Sequence, residues 1–397
     1  MENYQQPAPT DFTQLQSLIV ESHQMGQKIL LKENLFPSHS LPDSSDLFLD
    51  LSHLNHIIDL DQENFTVTAA GGINFFALQN QLRDKGFFLP LDNYFSPQTS
   101  LTYQLSQALP SSYQGKYGSL RQYVTGLEVI LPDGTVINLG GKCIKNVSGY
   151  DLMGLLIGSK ERLGLISKAT LRLLPVPEAS QVICARFDSL TAAVTAASQL
   201  LLNGSIPAKI QVLNASLASA VNGLVFPAKP LLIAEFDGFK PAMPKEIQFF
   251  KKIISDYSND ITEITNPLEI AKLWLELGNT ISQAAAKSPS KLLFTSQLTD
   301  LSGLSTELIQ LAVLEKHPLG ILIDLGNSSG LLLPLAEEQS PGWDWLSQAE
   351  NVIHQTLNCR LFGMKTFHNA EINHIFQNLL VAFERRGNID LSCPPAQ

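Results

Sequence analysis

The chain has 397 residues, of which 44% are hydrophobic and 16% are charged, and its formal net charge is -10. This length favours two domains, and the apolar content supports a sizeable core and excludes a disordered chain. The acidic balance argues against nucleic acid as a partner, because it repels phosphates. The polar amino terminus lacks a signal peptide, and no apolar run approaches the ~20 residues that span a bilayer. We therefore expect a cytoplasmic protein without a transmembrane segment.

The first half of the chain predicts a mixture of helices and short strands. Apolar spacing predicts a helix over 11–26 that stops at Gly26 and a helix over 75–85 that stops at Gly86. Strands are predicted at 28–31, 46–51, 55–59, 65–70 and 163–174, with a turn at 61–64. The sharpest hairpin signal is at 124–131 and 135–139, around Pro132-Asp133-Gly134.

The prolines Pro175 and Pro177 mark the best domain boundary. We therefore predict domains at 1–177 and 178–397. The second domain is predicted as α+β, with helices covering a sheet. Its helices are predicted at 190–202, 244–258, 267–277, 304–314, 343–357 and 370–385, and its strands at 209–213, 231–236, 291–296, 320–325 and 360–364.

Three segments in the first half carry a resemblance to a known family. The first is Asp50-Leu51-Ser52-His53-Leu54-Asn55, with the strand 65–72 and the helix that ends at 86–90. The second runs from Tyr117 to Val129 into the hairpin. The third combines 140–142, 145–152, 158–159 and 163–166. In this order they resemble the PCMH-type FAD-binding domain of the FAD-linked oxidases. The run 145–152 is most similar to the E subunit of bacterial glycolate oxidase.

The resemblance implies an α+β fold in which two small α/β subdomains hold FAD between them and an α+β domain caps the isoalloxazine ring. Two glycine-rich loops of such relatives surround the pyrophosphate with backbone amides, because glycine lets the main chain approach closely. The candidate cofactor-binding residues implied here are Tyr117, Gly118, Ser119, Arg121, Asn146, Gly149, Tyr150, Asp151, Gly158, Ser159, Gly164 and Ile166.

Both glycine-rich loops are altered in this chain. The first reads Leu31-Lys32-Glu33-Asn34-Leu35-Phe36-Pro37, and the second reads 96–105 without a glycine. In the third segment, Lys160-Glu161-Arg162 replaces a small, glycine-containing step. Each lost amide contact to a pyrophosphate removes roughly 1.5–3 kcal/mol. Lys32, Lys116 and Arg121 are the candidate phosphate partners that compensate.

Several residues have structural alternatives. Asp151 or Ser148 can cap the helix at 152, Arg121 can form a salt bridge across subdomains, and Gly71 and Gly72 fit turn positions. The eight histidines form no recognisable triad, and no metal motif is visible, so the catalytic base is unassigned.

Three functions remain open from the sequence. By resemblance, the chain is a glycolate oxidase E-type subunit that oxidises a small 2-hydroxy acid with FAD, together with a D-type flavin subunit and an iron–sulfur subunit. The alternative is a non-catalytic scaffold or regulatory relative that has lost FAD binding, which the glycine-free loops favour. The third is a small-molecule binding protein that uses the cleft for another ligand.

Overall fold

The structure is a computed structural model. It describes residues 6–32, 47–92, 99–142, 151–221, 229–287, 292–314, 319–335 and 360–361. The helices predicted at 343–357 and 370–385 lie outside the described residues. Three candidate cofactor residues, Asn146, Gly149 and Tyr150, lie outside them as well.

The elements before Val176 form two small lobes. They are α1 (Phe12–Met25), β1 (Ile29–Leu31), β2 (Leu47–Leu49), β3 (Ile57–Asp61), β4 (Thr66–Ala70), α2 (Phe75–Arg83), β5 (Phe87–Phe88), α3 (Leu101–Gln107), α4 (Gln114–Tyr117), a 3₁₀ helix (Leu120–Tyr123), β6 (Val124–Ile130), β7 (Val136–Gly140), α5 (Leu152–Leu156), β8 (Leu165–Arg172) and β9 (Leu174–Pro175). The first lobe contains α1 and the parallel pair β1–β2. The second contains an antiparallel sheet in the order β3-β4-β8-β6-β7. The separate sheets agree with the two-subdomain expectation.

The elements after Val176 build a larger antiparallel sheet with helices on both faces. They are β10 (Ala179–Arg186), α6 (Leu190–Leu202), β11 (Lys209–Leu213), α7 (Ala215–Ala220), β12 (Leu231–Gly238), α8 (Met243–Ile254), β13 (Ile261–Ile264), α9 (Pro267–Lys287), β14 (Leu292–Thr295), α10 (Leu301–Leu314), β15 (Leu319–Asp324), β16 (Ser329–Pro334) and β17 (Arg360–Leu361). Within the described chain, the strand order is β13-β10-β12-β11-β15-β16-β14-β17.

Side-chain alternation explains why both faces of the larger sheet are covered. In β10, Val182 and Cys184 face one side while Ile183 and Ala185 face the other, and all four are fully buried. The first pair packs in the cluster that contains α7 and α9. The second pair packs in the cluster that contains α6, α8 and α10. The middle of the strand, 182–185, is therefore apolar on both faces instead of alternating with polar residues.

The proposed boundary at Pro175 is tied to the first half of the chain. Strand β9 pairs with β5, and the Val176 N–H donates to the Gly86 carbonyl at 3.0 Å. The division into 1–177 and 178–397 stays a prediction, and the separate sheets on each side of it support the division.

The structure corrects several predicted elements. Residues interpreted as the second glycine-rich loop include helix α3, which begins after Ser100; its side chain accepts from the Tyr103 N–H. Helix α9 continues to Lys287 instead of ending at Leu277, because Gly278 is tolerated inside a helix that packs on the sheet. Strands β10, β13 and β16 and helix α7 were not predicted, because their residues lack a clear period.

Candidate functional site

The two lobes contact each other through apolar side chains. Ile19 of α1 and Leu31 of β1 pack in one buried cluster with Ile130 of β6 and Leu165 of β8. The space between them, bounded by Ile19, Ile29, Leu31, Glu161 and Leu165, is about 10 Å³. This volume holds about one water molecule. Among the described residues, the lobes are therefore closely packed at this point.

Glu161 reaches this closed space from a left-handed turn. Lys160 and Glu161 have φ values of 56° and 60°, a region that favours glycine. The turn therefore has a glycine-type backbone at two positions that carry larger side chains. Glu161 is 6% exposed, and its carboxyl group accepts from the Ser106 hydroxyl of α3. An acidic side chain is thus buried beside the start of the first altered loop.

The three candidate phosphate partners each have an acidic partner within the chain. Lys32 pairs with Asp50 at 2.7 Å, Lys116 pairs with Asp237 at 2.7 Å, and Arg121 pairs with Asp151. The Arg121–Asp151 pair lies within the second lobe, so Arg121 forms a salt bridge but not the predicted one across the subdomains. A phosphate would have to compete with these carboxylates.

The described candidate cofactor residues take part in turns, caps and packing. Asp151 caps α5 by accepting from the Gly154 N–H at 3.0 Å, as its structural alternative predicts. Gly158 donates to the Leu105 carbonyl, and the Ile166 carbonyl accepts from the Thr102 hydroxyl at 2.6 Å. The remaining positions are the C-cap of α4 at Gly118, the N-cap of the 3₁₀ helix at Ser119, the buried Ser159, and Gly164 against Val129. Their contact with a cofactor stays a prediction.

These observations test whether the described residues fit FAD. A pyrophosphate needs room and donors, whereas the space holds about one water molecule and contains the Glu161 carboxyl group. Two like unit charges 4 Å apart repel by about 4 kcal/mol at an effective dielectric constant of about 20. That energy corresponds to nearly a thousandfold in affinity. The described residues therefore leave no room for a pyrophosphate at this point between the lobes.

A much larger cavity of about 780 Å³ lies between the second lobe and the larger sheet. One wall consists of α2 and the segment 88–92, and the other consists of β10, β11, β12 and α9. Most of its surface is apolar, from Phe75, Phe76, Phe88 and Leu275 among others. Its size suits a small-molecule ligand.

Lys209 is the most buried cation of this cavity. Its side chain is 5% exposed, and its ammonium lies 3.1 Å from the Asp92 carboxylate. The ammonium also lies 4.3 Å from the ring centres of both Tyr113 and Trp274, so cation–π attraction adds to the ion pair. Burial opposes the charge, but the acidic groups Tyr113, Asp92 and Glu235 raise the pKa of Lys209 overall.

Two acidic side chains from β12 complete the polar end of the cavity. Glu235 lies opposite Lys209 in the β11–β12 register and accepts from the Ser180 hydroxyl at 2.7 Å. Burial raises the pKa of Glu235, although Lys209 opposes that shift. Asp237 accepts from the Tyr117 hydroxyl at 2.8 Å and pairs with Lys116. The candidate cofactor residue Tyr117 therefore faces the larger sheet.

Asp324 is a further buried acid in β15. It is fully buried and accepts from the Gln211 amide at 3.2 Å and from the Asn327 N–H at 3.2 Å. Burial, and then the charge of Asp92, raise the pKa of Asp324 well above 3.8. The folded chain thus holds this proton more tightly than the unfolded chain does. Its stabilising contribution is complete at low pH and is lost as the pH rises through the folded-state pKa.

We expect Asp324→Asn to stabilise the fold, because it removes a buried charge and keeps the shape. The gain should grow from near zero at about pH 4 to at least about 1.4 kcal/mol at about pH 8, the equivalent of one pKa unit. Urea unfolding at a series of pH values measures it. Asp260→Asn is the matched control. Because Arg186 lowers the pKa of exposed Asp260, this change should destabilise slightly above about pH 4. The same pH dependence of stability in Asp324→Asn and Asp260→Asn would contradict the raised pKa of Asp324.

The sequence reasoning missed Lys209, Glu235 and Trp274. A signal exists in hindsight, because Lys209 and Glu235 lie in strands whose other positions are mostly apolar. A charged residue in a buried strand indicates a paired or functional group. Strand register and tertiary packing determine which residue this charged side chain contacts.

Two classes of feature are absent from the described part of the chain. No helix there is long and apolar enough to cross a membrane. No group of three or more His, Cys, Asp or Glu side chains in the same residues could hold a metal ion.

Comparisons with known proteins agree with this architecture. Residues 8–140 match the family model described as an FAD binding domain. The glycolate oxidase subunit GlcD of Bacillus subtilis is 32% identical over 202 residues, which cover 50% of this chain and 43% of that protein. The probable mitochondrial D-lactate dehydrogenase of Danio rerio is 34% identical over 212 residues, or 52% of this chain and 42% of that protein.

The family match covers residues 8–140, and it confirms an FAD-binding domain of the PCMH type in that part of the chain. A solved structure of alkyldihydroxyacetonephosphate synthase matches 98% of this chain and 77% of its own, with a TM-score of 0.74 and 17% sequence identity. At this identity the match shows the fold alone, and it confirms the α+β prediction. The alignments with the two curated relatives span less than half of the length of each.

Proposed function

We propose that this chain is a non-catalytic subunit of a flavoprotein assembly that oxidises a small 2-hydroxy acid, such as glycolate or D-lactate. In this proposal it takes the E-type role, while a D-type partner subunit holds the flavin and an iron–sulfur subunit receives the electrons. The names of the similar proteins, a glycolate oxidase subunit and D-lactate dehydrogenases, support the choice of assembly.

The observation that carries the proposal is the buried Glu161 carboxyl group in a space of about 10 Å³ between the lobes. At this point between the lobes the chain places an acidic acceptor and leucine side chains, which do not favour an anion. Because the acid is held by Ser106, it cannot turn outward without breaking a buried contact. The subunit therefore keeps the fold and gives up the anion site.

We expect the isolated chain to be colourless. Its visible spectrum should lack the flavin band near ~450 nm, and added FAD should leave the spectrum and the melting temperature of the chain unchanged, because ligands that bind the native state raise that temperature. Co-expression with a D-type subunit should give a yellow complex that contains this chain. Stoichiometric flavin in the isolated chain would overturn the proposal, and so would failure to associate with the D-type subunit.

A second candidate is an FAD-binding oxidoreductase. It is favoured by the left-handed backbone that persists at Gly158, at Lys160 and at Glu161, because a glycine-type turn has been kept there. The same spectrum separates the two candidates. If the chain is an FAD-binding oxidoreductase, the candidate cofactor residues contact FAD, and the loops have to open around the cofactor.

A further inference from the structure

The turn between β15 and β16 joins the larger sheet to the second lobe. The side-chain amide of Asn327 donates to the Ser111 carbonyl at 3.1 Å. The backbone of Gly326 lies against Gly115, where an added Cβ would come within 2.7 Å of the Gly326 carbonyl oxygen. Two stretches of backbone therefore pack closely across the junction of lobe and sheet. We call this the junction contact, and it joins the segments 111–117 and 325–328.

The carboxyl group of Asp324 holds this turn in shape from the sheet side. Asp324 is the last residue of β15, and it is fully buried. Its carboxyl group accepts from the backbone N–H groups of Gly326 and Asn327, the second at 3.2 Å. The side-chain amide of Gln211 in β11 donates to it as well, at 3.2 Å. Because Gly326 and Asn327 also contact the second lobe, a change at Asp324 reaches the junction contact directly.

A second carboxyl group, that of Asp92, holds the other side of the junction contact. It accepts from the Ser112 N–H at 2.8 Å and from the Ser111 hydroxyl at 3.0 Å. Its cation is Lys209, at 3.1 Å. Burial raises the pKa of Asp92, but the charge of Lys209 and the hydrogen bonds from Ser112 outweigh burial and lower this pKa overall. Asp92 is therefore already ionised when Asp324 loses its proton.

The surroundings of Asp324 oppose its ionisation while the junction contact is closed. Burial opposes it first, and the charge of Asp92 opposes it next. The other ionisable groups at this junction, Tyr113 and Glu235, act on Lys209 together with Asp92. A negative charge on Asp324 would therefore be buried and would face another carboxylate. Opening the junction contact would relieve both penalties, because it admits water to the carboxyl groups.

We propose that Asp324 is a proton-operated latch between the larger sheet and the second lobe. The junction contact is closed when Asp324 carries its proton, and it opens locally when the proton is lost. In the open form the carboxyl group meets water and has an ordinary pKa of about 4. Opening therefore becomes easier as the pH rises from about 4 to the folded-state pKa, by up to about tenfold for each pH unit. Asp92 and Lys209 line the 780 Å³ cavity, so opening also loosens a wall of that cavity. The inference does not depend on the proposed function.

Hydrogen exchange of the full chain tests the latch, when it is measured by mass spectrometry at about pH 5 and about pH 8 and divided by the intrinsic rates. In the wild type we expect the protection of peptides from 111–117 and 325–328 to fall at least about tenfold over this range. Asp324→Asn keeps an acceptor oxygen for the turn and cannot ionise, so its protection should not fall. Unchanged protection in the wild type would overturn the latch. An equal fall in Asp324→Asn would overturn the assignment to Asp324.

A control variant and a reference helix show whether the opening is specific and local. Asp260→Asn removes an exposed acid that pairs with Arg186, so its junction contact should lose protection as in the wild type. Helix α6 packs in the core on one face of the larger sheet, and it reports on unfolding of that sheet. At about pH 8 we expect α6 to stay at least about tenfold more protected than the junction contact. Equal protection would mean that only global unfolding exposes the junction, and it would overturn the latch.

Discussion

Replacing Lys209 with methionine is expected to destabilise the fold by about 3 kcal/mol, because it leaves Asp92 without its cation. Losing one partner of a buried ion pair costs about 3–5 kcal/mol. The lower end applies here because the Asp92 side chain is 25% exposed and also accepts from the Ser112 N–H at 2.8 Å. Methionine preserves most of the length of the side chain, so packing on Tyr113 and Trp274 changes little. Urea unfolding at neutral pH measures the loss.

Adding Asp92→Asn to Lys209→Met gives a double variant that separates the effect of the unpaired charge from the effect of lost packing. In the double variant Asp92 no longer carries an unpaired charge, so we expect it to recover more than half of the lost stability. Lys251→Met is the exposed control, because the Lys251–Glu263 pair is accessible to solvent and should be worth no more than about 1 kcal/mol. A loss in Lys209→Met no larger than that of this control would show that the ion pair contributes little.

The elements with a strong local signal were predictable from the sequence. The β6–β7 hairpin forms around Pro132-Asp133-Gly134, and α1 ends at Gly26, which adopts a φ of 67°. In each case the glycine and its neighbours determine the backbone without help from distant residues. The resemblance to the FAD-linked oxidases supplied the overall architecture, which the local signals alone do not define.

The candidate sites were less predictable, because they depend on contacts between distant segments. The loss of glycines was visible in the sequence, but the inward direction of Glu161 depends on Ser106, which is 55 positions away. Lys209 meets Glu235 through strand register, and it meets Asp92 through packing between the lobe and the sheet. It meets Trp274 because α9 packs on the same sheet. A shift of strand register by one residue moves every side chain of the strand to the opposite face. A local sequence pattern therefore cannot specify these partners.

Replacing Gly72 with alanine is expected to destabilise the fold by about 3 kcal/mol, at the upper end of ordinary overpacking. A Cβ at this position would lie 2.7 Å from the Leu51 carbonyl carbon and closer still to its oxygen. The contact joins the chain after β2 of the first lobe to the chain after β4 of the second, so relief requires the backbone of one lobe to shift. Urea unfolding and the melting temperature measure the effect.

Gly303→Ala is the matched control for this change. A Cβ there meets no atom within 4 Å, and alanine favours a helix over glycine, so we expect a gain of about 0.5–1 kcal/mol. A loss of stability in Gly72→Ala together with a gain in Gly303→Ala would show that Gly72 is required for close approach of the lobes. The resemblance, by contrast, associates glycine-rich positions in this fold with phosphate binding. If Gly72 had only that role, its replacement would leave the stability of the FAD-free chain unchanged. A neutral Gly72→Ala would therefore contradict the closed arrangement of the lobes, on which the non-catalytic assignment depends.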